Sequence, residues 1–241
     1  MAYISFQPND YFNTKIYTGT GSSNALTGVG FQPDWTWIKR RNATASHAIQ
    51  DAVRGNDKSL RSNTTGAEYT NTFFSSFDTD GFTVTSSESD VNASAETYAS
   101  WNWKANGSGS SNTDGTTSST VSVNTTAGFS IVKWTGSGSA TTIGHGIGVT
   151  PKIIMLKNTS EVYGWQVYHA SLGNTKYLAL DSTDAEATSS ESWNNTSPTS
   201  TVFSVGASDS NNKSGNTIIA YCFAEKKGFS KFSSYTGNGS S

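Results

Sequence analysis

The chain has 241 residues with 16 basic and 18 acidic side chains, a formal charge of −2, a near-balance that argues against a polyanion partner, which needs a concentrated basic face. Charged residues are 14% of the chain, against about 25% in an ordinary soluble domain, and Ser, Thr and Asn number 39, 33 and 20. With 12 Phe, 10 Tyr and 7 Trp the chain is too rich in rings to be a solvated tail, and the aromatics suit one large domain or two small ones.

In chain order, the opening MAYISFQPND has no basic segment followed by an apolar run, so no secretory signal is visible. DWTWIKRR (34–41), placed after Pro33, is short, β-rich and apolar on both faces, which predicts a central strand. SHAIQDAVRG (46–55) could form a turn or two of helix, although the repeat described below favours strand there. GFTVTSS (81–87) and TYASWNWKA (97–105) alternate as half-buried strands do, and NGSGSSNTDGTTSS (106–119) reads as a flexible polar linker. KIIMLKN (152–158), after Pro151, predicts a second central strand, and GWQVYHA (164–170), KYLALDS (176–182) and STVFSVG (200–206) alternate again. DAEATSSES (184–192) is the other short helix candidate. Turn residues about every 8–12 positions predict sandwich architecture, and no apolar stretch approaches the roughly 18 residues of a spanning helix, so membrane insertion is not expected.

The chain repeats itself. Residues 30–68 superimpose on 148–186 without a gap, pairing Gly30 with Gly148, Pro33 with Pro151, Lys39 with Lys157, Gly55 with Gly173 and Leu60 with Leu178. Upstream, YTGTGS (17–22) answers WTGSGS (134–139), and downstream TYASWNWKA answers TIIAYCFAE (217–225). The predicted fold class is therefore all-β, as two tandem antiparallel β-sandwich domains of jelly-roll or concanavalin-A-like type related by internal duplication. Residues 1–107 form the first, 108–119 the linker and 120–241 the second. FSKFSSYTGNGS (229–240) again resembles the opening of each copy; closure of the second sheet is expected for it, over the start of a further repeat.

Little in the sequence carries chemistry. His47, His145 and His169 do not recur between copies, and no G-x-S-x-G elbow is present. Asp78, Asp80 and Gly81 open a calcium-loop pattern that lacks its closing Glu, so Asp78 and Asp80 are candidate Ca2+ ligands against an ordinary hairpin turn, and no other cofactor is expected. Neither Asp78 with Asp80 nor Glu88 with Asp90, the paired acids a glycosidase would need, recurs in the second copy. The basic cluster Lys39, Arg40, Arg41, Arg54, Lys58 and Arg61 reads as a solvated face rather than a nucleic-acid patch, because residues 1–108 carry 8 basic against 10 acidic side chains. Trp35, Trp37, Trp101 and Trp103 have strand spacing and are expected in the core. Trp193 lies in ESWNNTSPTS, where its ring could stack on a sugar while Asn194 and Asn195 bond the hydroxyls, against the plainer reading of a ring capping the sandwich. Cys222 is a single cysteine and makes no internal disulfide.

Several strings, among them FQPNDYFNTKIYTGTGSSNALTGVGFQPDWTWIKRRN, FDTDGFTV, TIGHGIGVTPKIIMLKN and AYCFAEKKGFSKFSSYTGNGS, resemble a repeated domain of structural proteins from marine tailed bacteriophages. The resemblance spans nearly the whole chain and implies concanavalin-A-like sandwiches without catalytic residues. It implies a non-enzymatic component of the virion exterior, synthesised in the host bacterial cytoplasm, where a chain without disulfides folds readily. The favoured role is a tail-fibre or adhesin-like protein contacting host surface glycan, with homo-oligomers allowed. The alternative is a capsid or tail decoration whose partners are other virion proteins; a glycan depolymerase is the least favoured.

Overall fold

The computed structural model describes residues 7–239. After a 3-10 turn at Pro8–Asp10, the first half contains β1 (Phe12–Thr18), β2 (Asn24–Thr27), β3 (Trp35–Arg40), β4 (His47–Asp51), β5 (Gly55–Arg61), β6 (Tyr69–Thr70), β7 (Phe74–Asp78), β8 (Gly81–Val84) and β9 (Thr97–Trp103). The second contains β10 (Ser110–Asn112), β11 (Ser119–Asn124), β12 (Phe129–Thr135), β13 (Thr141–Gly144), β14 (Ile153–Asn158), β15 (Gln166–His169), β16 (Lys176–Ala179), β17 (Ala187–Thr188), β18 (Val202–Val205) and β19 (Thr217–Phe223), with one helical turn, α1 (Asp209–Asn212). The chain is all-β, and the named strands pair antiparallel throughout.

The large sheets run β1-β9-β3-β4-β5-β6 and β10-β11-β12-β19-β14-β15-β16-β17, so from β12 onward the second follows the pairing order of the first. A three-stranded sheet β2-β8-β7 and a two-stranded sheet β13-β18 complete the fold. Tyr17, Ile38, Ala48 and Tyr98 of the six-stranded sheet bury against Leu26, Phe74, Phe82 and Val84 of the three-stranded one. In the second half, Val132, Trp134, Ile154, Leu156 and Ala220 bury against Ile143, Phe203 and Val205. The opposite faces of the two large sheets meet each other: Trp35, Ile49 and Leu60 share one core with Phe129, Ile131, Ile219 and Tyr221. Four layers result, and both large sheets are covered on both sides. This is why β3 and β14 read as apolar throughout rather than alternating.

A buried asparagine fixes each T-G-x-G-S string. Asn92 accepts from the Thr20 amide at 3.0 Å and donates to the Ser22 and Ser86 carbonyls at 2.7 and 3.0 Å. Asn212 accepts from the Ser137 amide at 3.0 Å and donates to the Ser139 and Gly206 carbonyls at 2.6 and 2.8 Å. The backbone runs so close to the loop carrying each asparagine that a Cβ on Gly19 would lie 2.2 Å from the Ala93 oxygen, and one on Gly136 2.1 Å from the Lys213 oxygen.

Three local expectations are corrected. Residues 184–192 form no helix and carry β17, whereas the single α1 turn lies at Asp209–Asn212. Within 108–119, expected as linker, Ser110–Asn112 forms β10 and pairs with β11. The segment from 229 to 239 does not close the second sheet as a strand: it makes one bridge, Lys226 to Ser230, and sets the Phe232 ring 6.1 Å from Phe223. SHAIQDAVRG carries strand β4 (His47–Asp51) followed by a turn at residues 52–54 rather than a helix, as its repeat partner implies, and β4 and β15 occupy matching places in the two sheets.

Candidate functional site

β16 and the turn after it, together with Thr65 from the first half, wall a groove of about 330 Å³ whose lining mixes apolar and polar groups. Tyr177, half-buried and packed against the second-half core, is among its walls with Gln166, Asp181, Asp184 and Ser210. Asp181 is held by the Trp165 amide, which donates to Oδ1 at 2.9 Å. Ser182 Oγ donates to Asp184 Oδ2 at 2.8 Å while the Asp184 amide donates back to Ser182 Oγ at 3.2 Å, which sets the rim. Gln166 Nε2 donates to Ser210 Oγ, and Asn211 Nδ2 donates to Gln166 Oε1 at 3.3 Å. An aromatic face beside fixed carboxylates, hydroxyls and an amide offers stacking and hydrogen bonds to a polyhydroxylated ligand.

The most perturbed lysine stands near this groove. Burial pushes Lys157 down to about 8, against the field of Asp181, which favours its cation. Its Nζ donates to the Asn158 carbonyl at 2.7 Å and it is fully buried, so it braces the strand and cannot reach a ligand. Lys39 makes the same bond to the Arg40 carbonyl at 2.7 Å.

A second hollow of about 330 Å³, almost wholly apolar, lies between residues of the two large sheets and the segment after β19. Phe12, Trp35, Trp37, Trp103, Phe223 and Phe232 are among its walls. The indole N–H groups of Trp35 and Trp37 have no hydrogen-bond acceptor.

The residues singled out in the sequence do not come together. Trp193 is 1% exposed inside the second-half core, its ring edge-on to Tyr168 at 5.6 Å and its Nε1 donating to the Lys176 carbonyl at 3.1 Å. A ring so enclosed offers no face to a sugar, which corrects the stacking expectation. Asn194 and Asn195 are exposed, but as left-handed turn residues with φ of 50° and 47°. Asp78 accepts from the Ser76 and Thr83 hydroxyls at 2.7 Å each, and Asp80 from the Gly28 and Gly30 amides at 2.9 and 2.6 Å. Both carboxylates thus tie the β7–β8 hairpin and the loop after β2. Among the described residues no three of His, Cys, Asp and Glu group as metal ligands would.

The two amide donors hold the Asp80 carboxyl below its usual range. A depressed native value makes its contribution present at neutral pH and lost as pH falls through it. Asp80→Ala is therefore expected to speed hydrogen exchange at the Gly28 and Gly30 amides at neutral pH, and added calcium is expected to leave wild-type exchange unchanged. Calcium-induced protection of those amides would restore the ligand reading.

The basic cluster does not form one face. Arg54 is buried on Asp51, Arg61 pairs with Asp90 at 2.9 Å, and Arg40 pairs with Glu96 at 2.6 Å. Among the histidines, His145 is buried, with Nδ1 accepting from the Ile147 amide at 3.2 Å and Nε2 set 3.3 Å from the Thr199 carbonyl. Burial lowers its pKa, and its two bonds suit a neutral structural ring.

Sequence reasoning missed Tyr177, Asp181 and Asp184. The strand carrying Tyr177 was legible, but Asp184 lay in a helix candidate, and the groove draws on residues 164–166, residues between 177 and 184 and Ser210, with Thr65 from the first half, residues far apart in sequence. With this geometry described, the comparisons place the chain in a family. It belongs to the family described as a domain of unknown function (DUF7483), whose model matches residues 7–241. No curated protein and no solved structure matches it. Among the described residues no helix is long and apolar enough to cross a membrane.

Proposed function

We propose that this protein is a non-enzymatic structural component of a bacteriophage particle, a tail-fibre or adhesin-like protein on the virion exterior that contacts host surface glycan. The phage assignment rests on the strings at the start of each half and on the low-charge, hydroxyl-rich composition, which suits a surface working where salt screens ionic attraction. The two halves are read as duplicated jelly-roll or concanavalin-A-like sandwiches. Support comes from the ungapped repeat, the common pairing order of the large sheets and the paired roles of Asn92 and Asn212.

The observation that carries the glycan reading is the groove beside Tyr177. Its donors and acceptors are already braced by neighbours, so little ordering is needed when a sugar binds. A glycan array probed with the full chain, followed by titration of the best sugar, tests it. Tyr177→Ala is expected to weaken binding by about tenfold or more, since ring contacts contribute on the order of 1.5 kcal/mol. Tyr177→Phe is expected to keep most of it. Absence of any sugar ligand at millimolar protein, with binding to purified capsids instead, would favour the decoration alternative.

A further inference from the structure

The two halves build the same turn and charge it differently. In the register of the repeat, residues 40–47 answer 158–165, and the frame is common to both. The Lys39 and Lys157 ammonium groups each donate to the carbonyl of the next residue at 2.7 Å, and the Arg41 and Thr159 amides donate to the Thr97 and Thr217 carbonyls at 2.8 and 2.9 Å.

In the second half this turn is closed on itself. Asn158 Oδ1 accepts from the Ser160 and Glu161 amides at 3.0 and 3.3 Å, Glu161 pairs with Lys213 at 2.7 Å, Lys157 is fully buried and Trp165 is 1% exposed. In the first half Arg40 stands in the place of Asn158 and has no acceptor to offer. The Asn42 and Ala43 amides, which answer those of Ser160 and Glu161, have no acceptor among the described residues. Ala43 also replaces Glu161 and His47 replaces Trp165, so the turn loses its carboxylate and its large ring.

What remains is an open hollow of about 900 Å³ walled by residues 39–45 and His47. Arg40 is taken up by Glu96 at 2.6 Å, to which Asn42 Nδ2 also donates at 2.6 Å. Asp90, which accepts from the Ser46 amide at 3.0 Å, is neutralised by Arg61 at 2.9 Å. Arg41 is exposed and has no carboxylate partner among the described residues, and the half-buried Lys39 commits one of its three donors to the Arg40 carbonyl. Two cations beside two unmet backbone amides form the donor set that an oxyanion takes up.

We propose that the β3–β4 turn binds the phosphate or sulfate group of an anionic sugar, with the Arg41 guanidinium and the Asn42 and Ala43 amides as donors and Lys39 as the second cation. The sugar as carrier rests on the glycan reading, whereas the oxyanion site shares no residue with the Tyr177 groove.

Amide spectra of the isotope-labelled full chain, titrated at constant ionic strength with inorganic phosphate, sulfate, glucose-6-phosphate and glucose, test this. The three oxyanions are expected to shift the Asn42 and Ala43 amides saturably in the millimolar range, and glucose to leave them in place. The Ser160 and Glu161 amides are expected to stay still throughout. Arg41→Gln is expected to weaken glucose-6-phosphate binding by about fivefold or more. Ala43→Glu, which restores the acid that the second half carries, is expected to abolish saturation. Both positions are exposed, so the fold survives either change. Tyr177→Ala is expected to leave every one of these titrations unchanged, which separates a failure here from a failure of the groove. No saturable shift at Asn42 and Ala43 with any of the oxyanions, equal shifts at Ser160 and Glu161, or affinity unchanged in both turn variants would overturn the proposal. So would binding of the free ions without the sugar ester, which would remove the carrier.

Discussion

Arg54→Met is expected to lower the unfolding free energy by about 3–5 kcal/mol, the usual consequence of removing one partner from a buried ion pair. Arg54 and Asp51 are 1% and 0% exposed as side chains. Asp51 accepts from the Val53 and Arg54 amides at 3.1 and 2.9 Å, from the Arg54 guanidinium, and from Tyr221 Oη at 2.7 Å. Without the guanidinium, a carboxylate would remain in the layer between the large sheets with only neutral donors. Burial works against the Arg54 cation, and the fields of Asp51 and Glu68 outweigh it, so the group stays charged. Burial raises Tyr221 well above its ordinary value, leaving it a neutral donor. Tyr221→Phe is expected to cost less, about 1.5–3 kcal/mol, for one hydrogen bond to a charged acceptor. Tyr221 belongs to β19 and Asp51 to β4, so the Tyr221 bond crosses the two halves and the carboxylate that Arg54 neutralises is the one it reaches. Urea unfolding of the variants checks this, and an Arg54→Met cost below about 1 kcal/mol would show the pair to be solvated after all.

Trp35→Ala is expected to cost a similar amount, about 3–5 kcal/mol, through lost transfer energy and the cavity left behind. The ring is 0% exposed, and the Trp103, Tyr221 and Phe129 rings lie 4.3, 4.5 and 5.6 Å from it. Trp103 shares its sheet, whereas Phe129 and Tyr221 belong to the other, so the substitution empties the joint between layers. Its hollow would adjoin the apolar one that Trp35 already lines, which limits collapse and keeps the cost high. Ile16→Ala, at a β1 residue that is 63% exposed, is expected to change stability by no more than about 0.5 kcal/mol. Thermal and urea unfolding of these two variants, compared with wild type, provide the check.

The strands were legible because their signals are local. Aromatic and β-branched runs after Pro33 and Pro151 form β3 and β14, and the repeat favours strand over helix for SHAIQDAVRG, which carries β4. Burial was legible only in part. Trp35 was expected in the core and is there, whereas Trp37, Trp101 and Trp103 are only partly buried; Trp37 and Trp103 line the apolar hollow between residues of the two large sheets. The stacking of those sheets could not be read from periodicity, since a strand covered on both faces carries no alternation to say what covers it. The candidate sugar-binding Trp193 failed for a related reason. Its loop composition suggested exposure, but loop residues also seal the end of a core, as this ring does against Tyr168. Asp78 and Asp80 matched half of a calcium loop, and turn chemistry accounts for that half fully: two hydroxyls for one carboxylate, two amides for the other.

The central claim is that two similar halves, joined through a common aromatic layer, behave as one cooperative body. Equilibrium urea unfolding of the full chain, followed at once by tryptophan fluorescence and by far-ultraviolet circular dichroism, tests it most directly. The shared layer predicts coincident transitions with a single midpoint, and a joint fall of both signals in Arg54→Met. Two separated transitions in the wild type, with Arg54→Met shifting only one of them, would contradict it.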